Sequence, residues 1–154
     1  MHITRRRPDS VPGAAGNFTG TVWLDEVAAP AAPSRLRMFS VHFAPGARTA
    51  WRRHPHGQVL HVPQGEGLVR RRGGATETIR AGDTVWIEPD EWHWHGAGPR
   101  TFMTHLAVVE AAQAGTTTEW GAHVCAEDTT PPDRPRPAPP PAEGLPTCTP
   151  CSTS

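Results

Sequence analysis

The chain has no lysine and no tyrosine. Schiff-base chemistry and a tyrosine acid are thereby excluded. Charge of one sign is not in excess either: 15 arginines face 15 Asp plus Glu, for a net charge near zero. Phosphate binding needs a basic surplus, so no nucleic-acid partner is expected. No segment approaches the apolar run needed to cross a bilayer, and no membrane partner is expected. The opening "MHITRRRPDS" carries charge with no apolar stretch behind it, which argues against a signal peptide. Cysteine is scarce. Cys125, Cys148 and Cys151 are odd in number and late in the chain. That pattern reads as a cytoplasmic protein with reduced thiols.

Histidine and proline are plentiful, with 9 and 18 copies in 154 residues. From Thr129 on, "TTPPDRPRPAPPPAEGLPTCTPCSTS" concentrates proline and offers little to bury. The expected organisation is one domain over residues 1–124 and a disordered, Pro-rich tail over residues 125–154. "CTPC" at Cys148–Cys151 has the spacing of a redox or half-zinc motif. It lacks the helix start or second ligand pair such a motif needs, and reads as incidental.

The body is written in short strands. "FTGTVWLDEV" is one, and "RLRMFSVHFA" alternates with Phe39, Val41 and Phe43 on one face. "GQVLHVPQGEGLVRRRGGATETIRAGDTVWIEP" reads as strands broken by Gly-rich turns, and "GPRTFMTHLAVVE" as a further strand. Turn signals recur about every ten residues and no long segment carries a helical period. The expected fold class is all-β, a sandwich or barrel.

The chemistry concentrates in "WRRHPHGQVLH", Trp51 to His61. A strand sends residues i and i+2 to one face. On that parity Arg52, His54, His56 and Gln58 share a face. His93 and His95 of "EWHWHGAG" share a face of a second segment, and His105 lies on a third. A barrel interior can bring such faces together. His54, Gln58 and His93 are then candidate metal ligands, with His56, His95 and His105 around them. His42, His61 and His123 have no partner pattern and read as hydrogen-bonded strand residues. Trp92 and Trp94 alternate with the histidines and belong to core or subunit interface. "RRRGG" at Arg70–Gly74 reads as a solvated hairpin end.

These segments resemble the cupin superfamily. Its first motif, with its two histidines and a later acid, is matched from Gly46 through "PGARTAWRRHPHGQ". Its second is matched from Gly82 through "DTVWIEPDEW" to His93. The fragments "FTGTV", "PGARTAW", "GDTVW", "HWHGA" and "MTHLA" resemble the small bacterial cupins that include manganese-dependent hydroxynitrile lyases. The resemblance implies a double-stranded β-helix, a jelly-roll-like β-barrel. It implies a metal held at the positions of Arg52, His54, Gln58 and His93, with His95 and His105 as catalytic histidines beside it. It also implies hydroxynitrile-lyase-like C–C cleavage or formation on a small organic substrate. The metal would be the Lewis acid, His95 the base, and His105 the group that binds or protonates cyanide.

Three departures bear on that expectation. Arg52 replaces a ligand and supplies no lone pair. His56 stands where the relatives carry an apolar residue. Glu88 and Asp90 replace Pro and Gly of the second motif, and Asp tolerates the left-handed backbone better than most residues. Either His56 turns inward to supply the missing imidazole, or Arg52 bends out and leaves His54, Gln58 and His93. Neutral N and O donors suit Mn(II), Fe(II), Zn(II) or Ni(II), and the resemblance favours Mn(II). Otherwise the metal is lost and Arg52 binds a substrate carboxylate. The competing functions are an Fe(II) dioxygenase-type or isomerase-like metallocupin and a metal-free cupin that binds a small ligand. A homodimer through the apolar edge of "FTGTVWLDEV" is expected.

Overall fold

The computed structural model describes residues 1–114 and 116–129. The proline-rich stretch beyond Thr129, with "CTPC", lies outside the described residues.

Among the described residues twelve strands follow one another: β1 (Val11–Pro12), β2 (Phe18–Thr19), β3 (Val22–Ala28), β4 (Leu36–Phe43), β5 (Arg48–Thr49), β6 (Arg52–Arg53), β7 (Gln58–Arg71), β8 (Glu77–Arg80), β9 (Thr84–Ile87), β10 (His93–Ala97), β11 (Met103–Glu110) and β12 (Glu119–Trp120). A 3₁₀ turn, Ala126–Thr129, follows. All pairings are antiparallel. One half of the barrel runs β1-β3-β4-β11-β7, with β9 on the far side of β7. The other runs β2-β5-β10-β7, with β8 on β7, β6 on β10 and β12 on β6. This is the all-β, jelly-roll-like barrel expected from the sequence.

The 14-residue β7 belongs to both halves. Its first half pairs β11 and β9, and its second half pairs β10 and β8. The corner lies at "PQGEG". Gly65 has φ +85°, and a Cβ there would meet the Phe102 carbonyl oxygen at 2.0 Å. Only glycine permits both the turn and the close approach. Next to it the β7–β11 register slips between Thr104 and Leu106. Such irregularities re-aim side chains, and His105 lies within this one, fully buried.

Period-2 patterning builds the core. Met103, His105, Ala107 and Val109 of β11 are buried while the residues between them are half-buried. Val41 and Phe43 of β4, Leu60 and Val62 of β7, Ile79 of β8 and Ile87 of β9 complete an interior shared by both halves. Trp94 faces outward from β10 yet is 1% exposed, because Leu68, Val124 and Trp51 cover it. It belongs to a second small core rather than to an open surface. "FTGTVWLDEV" is not one strand. It divides into β2 and β3, which lie in different halves.

Candidate functional site

Cross-strand pairing decides what enters the barrel. Arg52 lies directly opposite His93 of β10 and Trp120 of β12, so all three side chains share the inner face. Arg53 lies opposite Glu119 on the outer face and forms an ion pair with it at 2.7 Å. After His54 the strand ends in a turn, closed by the Gly57 N–H donating to the His54 carbonyl at 3.3 Å. Pro55 occupies the second position of this turn, which its fixed φ suits, and Gly57 has φ +75°. Strand parity therefore breaks at residue 55. His54 and Gln58 are buried, whereas His56, at the turn's third position, is exposed. The expectation that His56 supplies a metal ligand is corrected by this turn. The alternative that Arg52 bends outward is corrected too, because Arg52 is 7% exposed and inside. Asp90 adopts the left-handed backbone expected of it, φ 59°, and its N–H donates to the His54 carbonyl at 2.8 Å.

Arg52, His54, Gln58, His95 and His105 line a cavity of about 280 Å³. His93 lies behind them, 1% exposed. Phe18, Leu24, Phe39, Phe43 and Val109 give the cavity apolar walls, and Trp120 covers one face of the guanidinium at 5.3 Å. His42, His61 and His123 lie elsewhere and are hydrogen-bonded to Asp25 and Thr104, to Thr84 and to Thr19.

Hydrogen-bond partners fix the tautomers. Nδ1–H of His54 donates to the Thr117 carbonyl at 3.1 Å, and Nδ1–H of His93 donates to the Glu91 carbonyl at 2.9 Å. Each ring therefore keeps its lone pair on Nε2. Arg52 Nη2 donates to Gln58 Oε1 at 2.9 Å, which sets the orientation of that amide. Oε1 then also faces His93 Nε2 at 3.3 Å, acceptor against acceptor. The same Nη2 donates to His95 Nε2. His95 must carry its proton on Nδ1, which donates to His105 Nε2 at 3.1 Å. The His105 proton is left on Nδ1, buried against the residue's own backbone. The result is a directed chain, Arg52 to His95 to His105.

Burial holds these histidines neutral, and the Arg52 charge reinforces it. His54 is pushed down to about 4, and His93 and His105 to about 3. His95 lies well below its usual value, for the same two leading reasons. Burial lowers Arg52 to about 9, which leaves it protonated at neutral pH.

Two further contributors, Trp120 and the Thr117 carbonyl, come from a segment without a readable pattern. "TTTEW" reaches the site only because β12 pairs with β6.

The cupin domain profile matches residues 39–105. An (R)-mandelonitrile lyase of Granulicella tundricola is 50% identical over 115 residues, 75% of this chain and 87% of that protein. The chain belongs to the cupin family. A cupin-like protein of Thermotoga maritima shares 32% identity with this cupin at a TM-score of 0.73, covering 83% of this chain and 95% of its own. The polyketide cyclase of Streptomyces resistomycificus shares the fold at 17% identity and a TM-score of 0.64, covering 84% and 90%.

The resemblance to manganese lyases raises the question of whether these residues fit a divalent cation. The lone pairs on His54 Nε2, His93 Nε2 and Gln58 Oε1 would suit one. Arg52 does not. It offers no lone pair, it holds a positive charge on the same Gln58 oxygen, and it occupies the position of a ligand. The donor set does not fit Mn(II), Fe(II), Zn(II) or Ni(II). The cation of this site is the guanidinium.

Proposed function

We propose that this cupin is a lyase-type enzyme that cleaves or forms the C–C bond of a small α-hydroxynitrile, with the Arg52 guanidinium in the place of a metal. The carrying observation is the hydrogen-bonded chain Arg52–His95–His105 at the wall of an apolar cavity. The half-identical relative named (R)-mandelonitrile lyase supports the substrate class.

The protons balance along that chain. The substrate hydroxyl gives its proton to His95 Nε2. As His95 Nε2 gains its proton, the Nδ1–H moves toward His105 Nε2. The O–H electron pair forms the carbonyl, the C–CN bond breaks, and its pair leaves on cyanide. Cyanide takes the proton back from His95 Nε2–H, and His105 returns its proton to His95 Nδ1, which restores both rings. Arg52, released from His95 Nε2, donates to the substrate oxygen as negative charge develops. A fixed cation in a water-poor cavity is well suited to that task.

Mandelonitrile is the first test. Benzaldehyde and cyanide should appear with or without Mn(II), and after chelator treatment. His95→Ala and His105→Ala should each lower turnover roughly 10²–10⁴-fold, as loss of a proton-transfer group does. No release above buffer at saturating substrate, with and without metal, would sink the lyase reading. One equivalent of metal per purified chain would overturn the role given to Arg52.

A further inference from the structure

The Arg52 guanidinium is buried without a counter-charge. It forms no ion pair among the described residues, and none of the described residues lining its cavity is acidic. Among the described residues only its Nη2 is hydrogen-bonded, to Gln58 Oε1 and to His95 Nε2. A buried charge without a partner is rare. An unneutralised cation at the wall of an apolar cavity points to an anionic ligand.

We propose that this cavity binds a small monocarboxylate with an apolar body, its carboxylate on Arg52. The reading shares with the lyase proposal only the identification of the cavity as the ligand site; it does not need the lyase chemistry. Gln58 and His95 already take the Nη2 hydrogens, so Nη1 and the guanidinium charge are what a carboxylate would meet, in a charge-assisted hydrogen bond. One cation neutralises one negative charge, so a dianion such as phosphate would keep an unpaired charge against apolar walls. Phe18, Leu24, Phe39 and Phe43 fit an aryl or short alkyl group rather than a polar chain. A volume of about 280 Å³ is at the small end of ligand sites, which run from roughly 300 Å³ upward.

Calorimetric titration of the full chain tests the proposal with four probes: benzoate, benzamide, benzyl alcohol and inorganic phosphate. Benzoate should bind roughly ten- to hundred-fold tighter than its neutral analogues, the range expected for a charge-assisted hydrogen-bonded pair. Phosphate should not compete with it. Arg52→Met should remove the preference for benzoate over benzamide. Benzamide binding as well as benzoate, phosphate displacing benzoate, or Arg52→Met retaining the preference would each overturn the proposal. If that variant does not fold, the comparison of benzoate with benzamide on the unaltered protein still decides. Benzoate binding without mandelonitrile turnover would sink the lyase reading alone. Turnover without benzoate preference would sink this one alone.

Discussion

At the scale of single residues, Arg52 and His56 divide what the first cupin motif would have shared. Arg52 takes a ligand's position on the inner face, opposite His93. His56 is turned outward by Pro55 and Gly57. Two substitutions separate these roles. Arg52→His removes the cation and restores an imidazole beside His54, Gln58 and His93, so it should acquire about one equivalent of Mn(II) where the unaltered chain should retain none. Elemental analysis after dialysis reads this. His56→Ala removes an exposed side chain and should change stability by no more than about 0.5 kcal/mol, the usual range for such surface sites, with turnover unchanged. A variant that lost activity would return His56 to the site. Arg52 could be recognised in the sequence as a departure. Its inward direction could not, because either rescue, His56 inward or Arg52 outward, was open on strand parity.

Among the elements, β7 matters most, because one strand carries both halves of the barrel and delivers Gln58 at its start. The Gly-rich run "PQGEG" is visible in the sequence, but it reads there as a turn between strands. In the fold it is a corner within one continuous strand. Gly65→Ala should cost about 2 kcal/mol or more. The left-handed backbone alone disfavours alanine by roughly 1–2 kcal/mol, and the Phe102 carbonyl leaves no room for a Cβ. A lower urea midpoint with an unchanged slope would register it; an unchanged midpoint would remove the corner's claim on glycine. β12 shows the opposite limit. It has two residues and no pattern, yet its pairing with β6 puts Trp120 over the guanidinium and brings the Thr117 carbonyl to His54.

Over the whole molecule, the outer edge of β3 is covered by β1 only at Trp23 and Leu24. Trp23 remains 44% exposed. We propose that two copies pair through this edge, since an open strand beside an exposed aromatic is a template for further pairing. Light scattering should give twice the mass of the chain, and Trp23→Arg should halve it. A monomer at tens of micromolar would end the idea. The sequence by itself determined the all-β class, the cupin motifs, and the histidines and glutamine that gather inside, because period-2 alternation and turn chemistry are local. Tertiary structure alone decided which charge occupies the site. That depended on the pairing of β6 with β10 and β12, a long-range register that placed Arg52 inward with no acid among the described residues to meet it. No local pattern encodes whether a buried cation will find a partner.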